Sequence, residues 1–365
     1  MIPLFKRYPN LRGSIPHVSL GRFPTAIERM DTLGKKLVLN NLYIKRDDLS
    51  GEIYGGNKVR KLEFILAGVS RSKAKAILTY GYAGSNHALA TSLYAKKLGI
   101  RSISMLLPQP NAHYVRQNLL LNHYFGAELH HYPNIPALYM GTAYQVLRNG
   151  LRDGRFPKLI PPGGSTPEGT LGFVNAAFEL DEQIKSGLIS EPDFVYFPLG
   201  TVGTASGFIL GMKAMGRKTK VVSVRVTPTK YGSAKNMLML LRKTNSLLRK
   251  ADPRFPKLIF SERDFEIKHD QFGERYSLFT KEGISAIKLM KETEGIKLDG
   301  TYTGKTLAAL IKDSREENMK DKVILFWNTY NSVDFSKTIE KVDYKKLPRK
   351  FHSYFEEEVQ PLDRR

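Results

Sequence analysis

The chain has 365 residues, 41% of them hydrophobic and 25% charged, which is enough for a large soluble core arranged as two lobes. Cysteine is absent, so disulfides and thiolate metal sites are excluded, and no apolar run approaches the roughly 18 residues of a membrane span. The formal charge of +22 raises nucleic acid, an anionic membrane surface and anionic ligands as partner classes. Its basic residues are spread along the chain, however. They are densest around Lys341, Lys345, Lys346, Arg349 and Lys350, and no recognition module accompanies them. A basic solvated surface accounts for them, and no dedicated nucleic-acid or membrane site is expected. Met1-Ile2-Pro3-Leu4-Phe5-Lys6-Arg7 has neither a continuous apolar stretch nor a small-residue cleavage site. The expected compartment is therefore the cytoplasm.

In chain order, the first chemical feature is Gly55-Gly56-Asn57-Lys58-Val59-Arg60-Lys61-Leu62-Glu63. A two-glycine turn places Lys58 at the first turn of a helix whose apolar face is Val59, Leu62, Leu66 and Val69. The positive end of the helix would lower the pKa of an ammonium there and attract an anion, which makes Lys58 a candidate imine-forming amine. Taken alone, a solvated lysine beside a turn is the commoner reading.

Ala76-Ile77-Leu78-Thr79-Tyr80 reads as a strand, followed by a helix carrying Ala88, Leu89, Leu93 and Leu98 and closed by Gly99. Between them stands Gly81-Tyr82-Ala83-Gly84-Ser85-Asn86-His87, where open α/β sheets collect ligands. Ser85 and Asn86 serve equally well as plain helix caps. Next come a strand Ile103–Leu107, a helix from about Tyr114 to Phe125, and a strand Glu128–Tyr132. Strand Phe194–Phe197 leads through Gly200-Thr201-Val202-Gly203-Thr204 into a helix near Thr204–Met215, followed by strand Val221–Val224. Glycines and hydroxyls between a strand and a helix suit a phosphate monoester, although an ordinary connecting loop looks similar. Asp299-Gly300-Thr301-Tyr302-Thr303-Gly304-Lys305 precedes another helix, and Lys322–Phe326 is a late buried strand. Residues 333–365 are polar and punctuated by proline, as in a terminal extension. This alternation predicts an α/β fold with parallel sheets covered by helices.

Together with Leu42-Tyr43-Ile44-Lys45-Arg46-Asp47-Asp48-Leu49 and Pro162-Gly163-Gly164-Ser165-Thr166-Pro167, these segments resemble one family across roughly residues 22–332. It is the D-cysteine desulfhydrase and 1-aminocyclopropane-1-carboxylate (ACC) deaminase family, within the pyridoxal-phosphate enzymes of fold type II. The resemblance implies a two-domain fold with the cofactor in the cleft between domains. The larger domain would comprise residues 1–57 and 180–345, the smaller residues 58–179, and the tail residues 346–365. It further implies pyridoxal 5'-phosphate as cofactor, a small amino acid as substrate and a homodimer.

The same resemblance implies roles for single residues. Lys58 would hold the cofactor as an imine and move the Cα proton. Asn86 would bond the pyridine 3'-oxygen, and Ser85 and His87 would line the substrate carboxylate pocket. Gly200, Thr201, Val202, Gly203 and Thr204 would take the phosphate, with Lys61 assisting. Tyr276 and Tyr302 would sit over the substrate, and Thr329 would face the pyridine nitrogen.

Three residues depart from the family pattern. Val202 stands where glycine is usual, and Tyr330 and Asn331 replace two glycines after Thr329. The leading expectation is β-elimination from D-cysteine or a related small amino acid. ACC deamination and a catalytically degenerate binding protein are the alternatives.

Overall fold

The computed structural model describes residues 1–316 and 318–364. Among the described residues ten strands form two sheets: β1 Ile27–Arg29, β2 Asn41–Lys45, β3 Ala76–Tyr82, β4 Arg101–Leu107, β5 Glu128–His131, β6 Lys158–Ile160, β7 Phe194–Leu199, β8 Lys220–Arg225, β9 Glu266–Lys268 and β10 Val323–Trp327. One sheet has the order β1-β2-β10-β7-β8-β9 and the other the order β5-β4-β3-β6. Every pairing is parallel except β1 with β2. Helices cover these parallel strands, so the strands read as continuous apolar runs such as Val323-Ile324-Leu325-Phe326-Trp327. The fold is the expected α/β type, and the predicted strands and helices lie within a few residues of the observed ones.

Two helices decide where the chemistry sits. Helix Asn57–Arg71 turns Val59, Leu62, Leu66 and Val69 into the core of the four-stranded sheet, with Ile77, Leu89 and Leu93. Phe64, on its other side, packs with Phe173, Val195 and Phe197 of the six-stranded half. The lysine turn is thereby wedged between both halves. Helix Pro167–Lys185 falls mostly within the segment 58–179 expected for the smaller domain. Its Leu171, Phe173, Val174 and Leu180 nevertheless pack against Phe208, Leu210 and Trp327 in the larger core.

Under these two helices lies a charged knot with almost no solvent access. Arg60 Nε and Nη2 donate to the two Asp47 carboxylate oxygens (2.8 and 2.7 Å), and Nη1 donates to Glu179 (2.8 Å). Lys45 Nζ donates to Glu179 (2.7 Å), to Gln183 (2.6 Å) and to the Thr25 carbonyl (2.7 Å). Two cations offset two carboxylates, and the hydrogen bonds satisfy what Coulomb attraction alone would leave unpaired.

Residues 333–364 are no loose extension. Leu347, Phe351 and Tyr354 are buried with Ala83, Leu106, Val115 and Leu119. The lysines of this segment face outward while every third or fourth residue is an apolar anchor, a pattern that the surrounding charge conceals in the sequence.

Candidate active site

All the residues singled out above for chemistry line one cleft of about 540 Å³: Lys58, Lys61, Ser85, Asn86, His87, Gly200 to Thr204, Tyr276, Tyr302 and Thr329. The lysine turn depends on Gly56, whose φ is 93°. A Cβ there would lie 2.7 Å from the carbonyl oxygens of Thr329 and Tyr330, so no larger residue fits without moving that strand end. Asn57 N–H donates to Thr329 O (3.2 Å) and Asn57 Nδ2 to Thr204 Oγ1 (3.0 Å), which ties the lysine to two other segments of the site.

Lys58 lines the cleft half-buried, and its pKa falls to about 8. Burial is the main cause, with Asp299 pulling weakly in the opposite direction. The helix end credited from the sequence is thus not the leading influence. Lys61 is held well below its ordinary value by burial and by neighbouring Lys58. Its Nζ donates to Gly163 O (3.0 Å) and Ser165 Oγ (3.3 Å). His87 is likewise lowered by burial, then by Lys58 and Lys61, and both of its buried ring nitrogens lack a protein partner. Such orphaned groups inside a cleft call for a ligand.

The loop after β7 closes around the same point. Ser165 Oγ lies 2.8 Å from Thr201 Oγ1 and accepts from Gly203 N–H (3.3 Å), and Thr227 Oγ1 donates to Gly200 O (2.8 Å). Helix Gly203–Ala214 starts here, so its free amides face the cradle. Val202 sits at φ 58°, a left-handed conformation that costs a β-branched residue roughly 1–2 kcal/mol. The turn survives the departure from glycine because Val202 is buried in the larger core. A Cβ on Gly203 would come within 2.6 Å of Ser165 Oγ and 2.8 Å of Lys61 Nζ, filling the cradle.

Across the cleft, Tyr276 and Tyr302 share a hydrogen bond (2.6 Å), and Tyr276 packs on Tyr82 with ring centroids 4.7 Å apart. Asp299, from the segment before the helix that starts at Thr303, also lines the cleft. Its carboxylate accepts from the amides of Thr301 (3.1 Å), Tyr302 (3.0 Å) and Thr303 (2.9 Å) and from Thr303 Oγ1 (2.7 Å). It therefore fixes Tyr302 and has no lone pair to spare. Asn331, one of the three departures from the family pattern, lines the cleft, accepts from Gly55 N–H (2.6 Å) and braces the lysine turn. Ser165, Thr227 and Asp299 carry weak signals in the sequence, though Thr227 follows the carboxyl end of β8, where such residues are to be sought.

Comparison with known proteins agrees with this geometry. The model of the family described as "Pyridoxal-phosphate dependent enzyme" matches residues 18–329. The chain belongs to this family. It is 33% identical to a protein named "Putative 1-aminocyclopropane-1-carboxylate deaminase" from Pyrococcus furiosus, over 86% of this chain and 92% of the relative. It is 31% identical to a D-cysteine desulfhydrase from Klebsiella pneumoniae, over 86% and 93%. Among solved structures, an "ACC deaminase homologue" superposes with a TM-score of 0.76 at 29% identity, covering 93% of this chain and 98% of that one. Tomato threonine deaminase shares the fold (TM-score 0.61, 17% identity). This is a fold type II enzyme of small amino acids whose cofactor is pyridoxal 5'-phosphate. The residues present fit that group: an amine with a lowered pKa, an amide cradle that a side chain on Gly203 would fill, and a His87 ring without a protein partner.

Gly203→Val is expected to weaken cofactor retention about 10- to 100-fold, the loss of charge-assisted hydrogen bonds worth about 1.5–3 kcal/mol. Cofactor titration of the dialysed, folded variant measures this. Unchanged affinity would place the phosphate elsewhere.

Proposed function

We propose that this enzyme eliminates the β-substituent of D-cysteine, releasing sulfide, pyruvate and ammonia. Bound in the cleft, pyridoxal phosphate supplies the electron sink for negative charge developing at Cα. Gly200 to Thr204 with Lys61 hold its phosphate, and Asn86 holds its 3'-oxygen. The Asn86 side-chain oxygen is itself fixed by a hydrogen bond from Asn118 (2.8 Å). Lys58 provides the attachment amine and then takes the Cα proton, a role served by a pKa close to working pH. His87 is kept neutral and offers a ring N–H to the substrate carboxylate beside Ser85. As the Cα proton leaves, the Cβ–S bond breaks. The resulting 2-aminoacrylate reacts with water to give pyruvate and ammonia. Tyr276 and Tyr302 cover the substrate, and burial raises both phenols far above neutral pH, so they act as donors.

One observation carries the choice of D-cysteine over ACC. Thr329, which the resemblance sets against the pyridine nitrogen, is a neutral hydroxyl. The nearby carboxylate, Asp299, has both oxygens occupied by four donors. Thr303 is buried, spends its hydroxyl on Asp299 and adds no carboxylate. Without a free carboxylate, electron withdrawal is modest. Expelling sulfide from Cβ asks less of it than opening a cyclopropane with no Cα proton.

The purified holoenzyme should show a higher kcat/KM for pyruvate from D-cysteine than for 2-oxobutanoate from ACC, assayed side by side. The reverse order would overturn the assignment, and failure to release either product would favour the degenerate binding protein. The same reading includes a cytoplasmic homodimer. Two features support it: no helix among the described residues is long and apolar enough to cross a membrane, and Tyr139, Met140, Tyr144, Leu147 and Leu151 expose apolar surface along helix Ile135–Asp153.

A further inference from the structure

The terminal segment touches the stretch that carries Tyr276 through one side chain. Its anchors Phe351 and Tyr354 pack against the four-stranded half, with the His131 ring 5.1 and 6.1 Å from theirs. From there the backbone is gripped repeatedly. Arg116 donates to the carbonyls of Tyr354 and Glu357 (both 2.7 Å), and Asn111 Nδ2 donates to those of Tyr354, Glu357 and Glu358 (2.8, 2.9 and 3.2 Å). Gln360 N–H then donates to Asn111 O (2.9 Å), and Asp363 accepts from His113 N–H (2.5 Å). The stretch is therefore a strap whose course is fixed on both sides of Gln360.

Gln360 is buried, and both ends of its amide are used on a different part of the molecule. Oε1 accepts from Phe279 N–H (2.7 Å), and Nε2 donates to Ser277 O (3.1 Å). Those two groups lie immediately after Tyr276, on the segment that follows β9 of the six-stranded sheet. Ser277 is fully buried at φ 62°, a conformation that a non-glycine residue holds only where its surroundings impose it. Gln109 supports the same point, since its N–H donates to the Tyr354 hydroxyl (3.2 Å) and its Oε1 accepts from Gly84 N–H (2.7 Å), next to Ser85. A strap anchored on one half thus clamps a strained turn belonging to the other, and that turn carries Tyr276.

We infer that Gln360 is a positioning residue, through which the C-terminal strap holds Tyr276 against Tyr302 and Tyr82 above the substrate. The inference rests on the role proposed for Tyr276. Loss of the Gln360 amide leaves a buried N–H and a buried carbonyl without partners, so the Ser277 turn relaxes and the ring moves.

The test uses holoenzyme carrying Gln360→Ala, with Gln360→Glu as a variant that keeps the acceptor and loses the donor. Two readouts need no turnover. Hydrogen exchange at the Phe279 amide should accelerate at least ~10-fold in Gln360→Ala and less in Gln360→Glu. Nitration of Tyr276 by tetranitromethane, followed by peptide mass spectrometry, should rise in the same order while cofactor content stays equal to wild type. Unchanged exchange and nitration would overturn the inference, whatever the substrate proves to be. With D-cysteine, kcat should fall about 10-fold in Gln360→Ala, and the same replacement in a Tyr276→Phe background should cost less than about twofold. Effects that simply multiply would show that Gln360 acts on something other than Tyr276, and would also overturn it. If wild type releases no product, the substrate assignment fails and the two turnover-free readouts alone decide.

Discussion

Lys58→Ala should fold, bind cofactor only non-covalently and lose turnover by at least ~10³-fold, because no other group in the cleft can both couple to the cofactor and move the Cα proton. Lys61 is the nearest amine, but its Nζ is committed to Gly163 and Ser165. Arginine cannot substitute, since its guanidinium stays charged. Borohydride treatment should fix cofactor to wild type and not to the variant, and normal turnover by the variant would remove Lys58 from the mechanism. The pKa near 8 gives a second measure. In cofactor-free protein, acylation of Lys58 should rise with pH to a midpoint near about 8, against roughly 10.4 for a free lysine. The sign for stability follows. A lysine whose folded pKa is depressed binds fewer protons folded than unfolded between those values, so its burial opposes folding at neutral pH and the opposition fades as pH rises. Lys58→Ala should therefore raise the melting temperature of the cofactor-free protein while it abolishes activity.

Arg60→Ala should be the most damaging replacement away from the cleft, lowering stability by about 3–5 kcal/mol. It would leave Asp47 and Glu179 buried against one remaining cation, Lys45. A lysine in its place would restore charge without the fork that reaches both carboxylates. Urea unfolding should show a lower midpoint at unchanged slope, and a midpoint within error of wild type would mean the knot is dispensable. Acid tests the same contacts. Glu179 is held down to about 2 against its own burial, chiefly by Arg60 and Lys45. For a carboxylate lowered on folding, the stabilisation is complete above its unfolded value near 4.5 and is lost as pH falls towards 2. Arg60→Ala should blunt that acid sensitivity.

The site was largely legible in the sequence because two of its turns combine strand end, glycine and hydroxyl, a local pattern that survives without three-dimensional information. Gly84-Ser85-Asn86-His87 and Gly200 to Thr204 are of this kind, Gly55-Gly56-Asn57-Lys58 is a glycine turn opening a helix, and the fold brings all three to one cleft. Less legible was anything whose meaning depends on distant partners. Helix Pro167–Lys185 buries Glu179, Asp181 and Gln183, so its apolar period is broken by polar groups serving Arg60, Lys45 and Arg217. The terminal strap hides three apolar anchors among charges. Asp299 resembles any aspartate before a helix until its four donors are counted, and Asn331 resembles an obstruction until Gly55 is seen to need it.

The crowding of Lys58, Lys61 and His87 in one buried space has a consequence for the life of the chain in a cell. Freshly made protein keeps two desolvated lysines and a neutral His87 there, beside an Asp299 carboxylate already spent on its own turn, so its compact state is the less durable one. Loading with cofactor supplies the missing negative charge, and at a thousand-fold excess over its dissociation constant it adds about 4.1 kcal/mol of protection against opening. Proteases acting on transiently opened molecules would remove the unloaded fraction first. The steady-state amount of this enzyme should therefore track vitamin B6 supply even at constant synthesis, making cofactor scarcity a form of quality control.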